Sequence, residues 1–374
     1  MRIKNRYLLS LFAGLVMAAS WPYTLISSGF WPLLVFGVAV LVGIVERTEQ
    51  LGKRNASNFL PLYLAFLIWN LCTTYWLSYV EEPTGVKVFS LASPVILNAL
   101  FMTLPWLGFG FLKRNLSASQ AYFGLIFLWL GYEYFHQNWE LTWPWLLFGN
   151  VFAESPYLIQ WYEYTGVQGG TLWILILGIL TYRLAKQGIL ISDWTREYSL
   201  RYFLPYMIAL LVPILAGLFI GHQWKGEEKK VLLIQPNLNP YSEKFSPYGF
   251  QGHLDLFVDM IHEKGAEVDL AVLPETALQE PNRYGFKADG NPVLNGLWEG
   301  QLEQSQSVIT LQHLVVDSLN LPVLSGMSSQ SMVALPYPDE FLIRSVQGSE
   351  DYGRIAYNSA LFLDGDRVES YYKS

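Results

Sequence analysis

Glu275 is the residue in this sequence best placed to do chemistry. It follows the apolar run Leu270-Ala271-Val272-Leu273 and then Pro274. A run of that length reads as a buried strand. Proline has no N–H for a sheet ladder, so it ends the strand and turns the chain outward. In an α/β sheet the carboxyl ends of the strands are where ligand sites form. A glutamate at that rim, partly desolvated, is expected to have a raised pKa and to act as a general base. The alternative is an ordinary surface glutamate. The single cysteine, Cys72, falls in an apolar segment where a thiol keeps a high pKa, and it reads as packing. His136, His222, His253, His262 and His313 are dispersed without ligand spacing, and no glycine-rich loop cradles a phosphate. No metal, nucleotide or other cofactor is expected.

The elements that must position Glu275 follow from the pattern of residues 225–374. The segment 230–234 is a short apolar strand ended by Gln235-Pro236-Asn237. A helix is expected over about 249–264, with Leu254, Phe257, Val258 and Ile261 on one face. The strand before Glu275 comes next, then a second helix near 296–319 and a strand over 322–326. That alternation argues for a layered α/β domain. The stretch 327–353, rich in Ser, Gln, Pro and Asp, reads as an excursion or lid. Finally, 356–363 and 367–373 flank Asp364-Gly365, a hairpin signal, with Lys373 at the tip of the last strand.

The first 224 residues have a different composition. The chain is 52% hydrophobic and 15% charged, against about a quarter charged in soluble domains. Thirteen of its 14 tryptophans precede residue 225. Lys and Arg exceed Asp and Glu by three up to residue 224, whereas from Lys225 onward the net charge is −10. We therefore expect a transmembrane domain over 1–224 and an acidic extracytoplasmic domain over 225–374, with nothing basic enough to bind nucleic acid. Seven apolar segments, approximately 7–19, 30–45, 59–80, 88–112, 121–135, 169–184 and 202–220, read as spans. The first two are short, and the Trp-Pro corners around Trp21 and Trp31 suggest a tight hairpin. Arg2, Lys4 and Arg6, then Arg47, Lys53 and Arg54, then Lys113 and Arg114, then Arg183, Lys186, Arg196 and Arg201 mark alternate loops as cytoplasmic. Seven crossings from a cytoplasmic start place everything after Ile220 outside. Between the fifth and sixth segments, Trp139, Trp143, Trp145, Tyr157, Trp161, Tyr162 and Tyr164 crowd into a loop without a cation. This is either an interfacial belt or a surface that receives lipid chains. Glu133, near the outer end of the fifth span, should face protein, water or headgroups, because a carboxylate at mid-bilayer costs about 2.5–3.5 kcal/mol.

Several of these features together resemble a known family. A strand ending in Pro274-Glu275, then Tyr357-Asn358-Ser359-Ala360 entering a hairpin, then Tyr371-Tyr372-Lys373, resembles the carbon–nitrogen hydrolase (nitrilase) superfamily. With seven preceding spans, Gln235-Pro236-Asn237, Trp143-Pro144-Trp145-Leu146 and Tyr164-Thr165-Gly166-Val167-Gln168-Gly169-Gly170 are similar to the apolipoprotein N-acyltransferase branch. The resemblance implies a nitrilase-like α/β sandwich and a Glu-Lys-Cys triad. In it Glu275 is the base and Lys373 stabilises the oxyanion. It implies a phospholipid acyl donor, a diacylglyceryl apolipoprotein acceptor and a bacterial inner membrane with the catalytic domain in the periplasm. Trp145, Phe245, Tyr248 and Glu133 are the candidate substrate-binding residues, Phe245, Tyr248 and Phe250 forming a possible entry gate. Two departures stand out. Leu273 replaces the Trp or Phe of many relatives. The family nucleophile, further strands and an eighth span would follow Ser374, so the chain is expected to be an N-terminal fragment, inactive alone, with an incomplete sandwich. Rival readings are a membrane-tethered nitrilase-type amidase and a noncatalytic scaffold or transporter. The last should show internal repeats, and none is found.

Overall fold

The computed structural model describes residues 5–373, apart from 23, 25–28, 188–198, 223–225, 240–242, 245–248, 287–291, 337–342 and 346–349. The chain divides into two compact units, Met1–Lys225 and Gly226–Ser374.

The first unit is helical. Its helices are α1 (Arg6–Ser20), α2 (Pro32–Gln50), α3 (Phe59–Thr74), α4 (Thr84–Asn115), α5 (Ala118–Gln137), α6 (Tyr162–Lys186) and α7 (Leu204–His222). Each coincides with one of the expected apolar segments. The local starts follow simple chemistry. Asn5 caps α1 by accepting from the Tyr7 N–H, Pro32 opens α2, and Ser117 and Gln120 form a reciprocal capping box on α5. Among the described residues, four stretches are long and apolar enough to cross a membrane: Asn55–Tyr79, Thr84–Asn115, Tyr162–Lys186 and Leu200–Gly221. With 15 residues, α1 is too short for a straight crossing, and α2 and α5 are less uniformly apolar. The last of the four has few fully buried residues: Tyr206, Ala209, Leu210 and Ile214 pack against the core, while Leu215 and Phe219 are exposed, as expected of a helix whose solvent on one side is lipid. The interior is aromatic. Phe148 stacks on Trp129 at 4.4 Å between centroids, Phe66 stacks on Trp129 at 5.7 Å, and Trp106 and Trp69 pack around them. At one end, Glu46 of α2 accepts from Lys113 of α4 and Lys186 of α6, both at 2.9 Å, and from Tyr122 of α5 at 2.7 Å. One carboxylate thereby ties four helices.

The second unit is a mixed sheet with helices against it. Its strands are β1 (Val231–Leu233), β2 (Leu270–Val272), β3 (Glu280–Phe286), β4 (Pro292–Asn295), β5 (Leu297–Trp298), β6 (Val323–Ala334), β7 (Arg344–Ser345), β8 (Tyr352–Asp364) and β9 (Arg367–Tyr372). The order is β1-β2-β6-β8-β7, with β5 also on β6 and β9 also on β8, while β3 and β4 form a separate pair. Helices α8 (Phe250–Lys264) and α9 (Gln306–Leu311) bury Leu254, Phe257, Val258 and Ile261, and Val308 and Leu311, in the same cluster as Ala271, Val323, Met327 and Leu361 of the sheet. Along β6, buried and half-buried residues alternate, the period of a strand with one face on a core.

Two expectations are corrected. The expected helix near 296–319 does not begin at 296: residues 297–298 form a strand and 299–304 only a 3-10 turn broken at Gln301. Gly296 lies so close to β6 that a Cβ would stand 2.4 Å from Ser328, and Leu297 and Trp298 pair with Ser329 and Gln330 as a parallel strand. Nor is 327–334 an excursion. It is the second half of β6, paired with β8 as far as Ala334 opposite Tyr352. Its polar residues are satisfied internally: Ser329 and Ser359 hydroxyls meet at 2.7 Å, and Gln330 donates to the Gly296 carbonyl.

Candidate active site

Four residues close together at the end of β2. The chain leaves the sheet after Leu273, whose N–H donates to the Leu324 carbonyl, and returns at Leu278, whose N–H donates to the Gly326 carbonyl. Between them Pro274–Ala277 forms a tight turn closed by Ala277 N–H to Pro274 O at 3.2 Å. Thr276 sits there at φ +51°, a conformation that costs a β-branched residue on the order of 1–3 kcal/mol. Gly326 permits the turn: a Cβ there would be 2.5 Å from the Pro274 oxygen and 2.6 Å from the Glu275 Cα.

Asn358 reaches the same point because β8 pairs Asn358 with Ser328, beside the bridge between Leu278 and Met327. Lys373 follows β9, and its N–H donates to the Asn358 carbonyl at 2.9 Å, while the rings of Tyr357 and Tyr372 stack at 4.6 Å. The structure thus brings Glu275 and Lys373 together: Lys373 Nζ lies 3.0 Å from Glu275 Oε1, across 98 positions. Asn358 Nδ2 donates to the same oxygen. From the loop after β1, Lys244 Nζ donates to the Glu275 backbone carbonyl at 3.0 Å.

The electrostatics correct one expectation. The Glu275 and Lys373 side chains are 63% and 67% exposed, so burial does little. The Lys373 hydrogen bond, then that of Asn358, then the Lys373 charge, hold the Glu275 carboxyl below its ordinary range rather than above it. Lys244 is shifted down, mainly by burial and against the attraction of Glu275. Beside the turn lies a cavity of about 200 Å³ lined by Gln235, Asn237, Lys244, His253, Pro274 and Ala277. A carboxylate that can take a proton, next to an ammonium that can stabilise an oxyanion, suits acyl-transfer chemistry. Asn358 and Lys244 were not singled out as site residues from sequence. The one signal for Asn358 was its place in Tyr357-Asn358-Ser359-Ala360, and for Lys244 its nearness to Phe245.

Phe245 and Tyr248 are outside the described residues. In the helical unit, Trp145 is half exposed and packs against Trp76 at 5.0 Å and Trp143 at 4.7 Å. Glu133 is 1% exposed and faces protein. Its Oε1 accepts from Trp129 Nε1 and the Phe148 N–H, both at 2.9 Å, and its Oε2 from Thr171 Oγ1 at 2.7 Å. That enclosure suits a group that anchors the aromatic loop between α5 and α6. Among the described residues no group of three or more His, Cys, Asp or Glu could hold a metal ion.

A bundle with helices long and apolar enough to cross a membrane, followed by an α/β unit that bears a carboxylate–ammonium pair, is consistent with a membrane protein that carries a mixed-sheet domain. Residues 13–180 match the family model of the apolipoprotein N-acyltransferase N-terminal domain. The chain is 23% identical over 286 residues to the apolipoprotein N-acyltransferase of Chlorobaculum tepidum, covering 74% of this chain and 50% of the relative. Against the enzyme of the same name from Azotobacter vinelandii it is 29% identical over 297 residues, covering 74% and 52%. Against that of Pasteurella multocida it is 24% identical over 357 residues, covering 88% and 60%. These matches support reading the chain as an N-terminal part of an apolipoprotein N-acyltransferase, with the domain of that name over residues 13–180. The chain spans about half the length of the curated relatives it matches.

Proposed function

We propose that the protein to which these residues belong moves an acyl chain from a membrane phospholipid to the N-terminal amine of a diacylglyceryl-cysteine on a lipoprotein. The observation that carries this reading is the meeting of Lys373 and Glu275 at the end of β2. In the scheme a cysteine thiol loses its proton to Glu275 and its sulfur attacks the phospholipid ester carbonyl. The C–S bond forms and the C–O bond breaks, and the lysophospholipid leaves with that proton. The acceptor amine then attacks the thioester. The C–N bond forms, the C–S bond breaks, and the proton shed by the amine returns to sulfur by way of Glu275. Lys373 stabilises each oxyanion. Cys72, on α3, is not the thiol of this scheme; by the family resemblance the nucleophile follows Lys373 in sequence. The sequence has one cysteine, Cys72, in the helical unit.

The reading also assigns a setting. The seven helices span a bacterial inner membrane from a cytoplasmic N-terminus and the α/β unit, half of a nitrilase-like sandwich, lies in the periplasm. The alternation of Lys and Arg between loops supports this topology. Trp145, Phe245 and Tyr248 contact lipid, and Glu133 serves by holding the aromatic loop.

The test uses protein expressed from its full natural reading frame, in vesicles with a phospholipid labelled in its acyl chain and a diacylglyceryl peptide. The peptide should gain one acyl chain by mass. Glu275→Gln and Lys373→Met should each slow this by about a hundredfold or more. Label released as free acid whether or not peptide is present would replace the reading with a hydrolase. No turnover of any kind would leave a scaffold.

A further inference from the structure

Glu275 is held at both of its ends. At the carboxylate, Oε1 accepts from Lys373 Nζ at 3.0 Å and from Asn358 Nδ2. Among the described residues Oε2 has no partner, so it is the oxygen open to an incoming proton. At the main chain, Lys244 Nζ donates to the Glu275 carbonyl at 3.0 Å, a charge-assisted bond of the stronger kind. The bond that closes the turn, Ala277 N–H to Pro274 O, does not use that carbonyl.

Lys244 is itself fixed. The Glu243 and Lys244 N–H groups both donate to the Asn239 carbonyl, at 3.0 and 2.9 Å, and the Asn239 N–H donates to Glu243 Oε2 at 2.9 Å. Three bonds thus close the chain on itself just before the lysine. Its half-buried side chain lines the cavity beside the turn with His253, Pro274 and Ala277. After the Lys373 hydrogen bond, the Asn358 hydrogen bond and the Lys373 charge, the Lys244 charge gives the Glu275 carboxyl a smaller push in the same direction.

The strain in the turn shows what the main-chain bond resists. Thr276 stands at φ +51°, which its branched side chain disfavours. Relaxing that angle rotates the Glu275–Thr276 peptide, and the carbonyl of this peptide is the one that Lys244 grips. Such a rotation would loosen the seat of the Glu275 side chain on Lys373 and Asn358.

We propose that Lys244 is a positioning residue for Glu275: its grip on the main-chain carbonyl keeps the strained turn in the form that leaves Oε1 on Lys373 and Oε2 free to take a proton. The chemical purpose of this device rests on the acyl-transfer reading; its effect on Glu275 rests on the geometry alone.

The test uses protein from the full natural reading frame and two readouts, one of them independent of turnover. In carboxyl-labelled NMR titration, Lys244→Met should raise the Glu275 midpoint, and Lys244→Arg should bring it most of the way back. In a Lys373→Met background, Lys244→Met should move the midpoint less, because the pairing that Lys244 protects is already gone. In vesicles with labelled phospholipid and diacylglyceryl peptide, Lys244→Met should lower kcat by about tenfold or more and leave KM within about twofold, with most of kcat recovered in Lys244→Arg. Lys264→Met, at the exposed end of α8, should change neither readout. A lysine that served only to fold its loop would alter yield or melting temperature and leave both readouts where they are. A parent-like midpoint and kcat in Lys244→Met overturn the proposal. So does an equal midpoint shift with and without Lys373, which a charge acting through space would give. A parent that acylates no peptide ends the acyl-transfer reading instead, and the midpoint series still decides the role of Lys244.

Discussion

Gly326 and Glu275 stand so close that a methyl group on the first would lie 2.6 Å from the Cα of the second. The turn bearing the candidate base is therefore seated on β6 at a point where only hydrogen fits. Gly326→Ala should push the turn off the strand, at a cost on the order of 1–3 kcal/mol for overpacking. Hydrogen exchange checks this: the Leu278 and Ser328 amides, which bond across this junction, should exchange faster than in the parent.

The charge pair sets a pH window. A carboxylate held below its ordinary value contributes stability that is present above the unfolded value, about 4.3, and is lost as pH falls through the lower folded value. The effect therefore appears only below about pH 4.3. With both partners mostly exposed it should be worth about 0–1 kcal/mol and fade with salt. Carboxyl-labelled NMR titration should place the Glu275 midpoint below that of the exposed glutamates. Lys373→Met should raise it towards them; an unmoved midpoint would contradict the pairing.

Glu133 predicts a graded series. Glu133→Leu strands the Trp129 and Phe148 N–H groups and the Thr171 hydroxyl, at about 1–3 kcal/mol for each group left unpaired. Glu133→Gln keeps an acceptor and should cost less. Denaturation by sodium dodecyl sulfate would rank the two, and protease cutting within 148–158 should increase in the same order.

Glu46 offers a double-mutant cycle. Glu46→Ala leaves the nearly buried Lys113 with Glu49 at 3.9 Å and the Tyr122 ring at 5.4 Å, and should destabilise the helical unit by about 3–5 kcal/mol. Lys113→Met added to it should restore much of that loss. Additive losses would mean the two residues are not coupled.

Among the described residues, sequence periodicity located the seven α-helices α1–α7 of the first unit, α8, β1, β2 and the β8–β9 hairpin, because each carries its signal locally: an apolar run, a helical face, or Asp364-Gly365 with Gly365 at φ +54°. It failed where packing overrides local pattern. β5 is two residues long and exists because Gly296 fits against β6. The second half of β6 reads as loop because it is polar, and Ser329 and Gln330 bond inside the sheet. The site was legible as two end points, Glu275 and Lys373. Asn358 and Lys244 reach Glu275 from 83 and 31 positions away, distances that no local motif encodes. The expected desolvation of Glu275 failed for a related reason: exposure depends on what covers a strand end, which the strand itself does not specify.

β6 is the ruler of the α/β unit. Val323 and Leu324 meet β2, Met327 meets Leu278, Ser329 and Gln330 meet β5, and the whole length of the other side meets β8. Deleting one residue of β6 ahead of Gly326 would turn every later side chain to the opposite face and set a residue with a Cβ against the Pro274–Ala277 turn. The meeting of a carboxylate and an ammonium at an open surface thus inherits its accuracy from an inner ladder to which neither residue belongs.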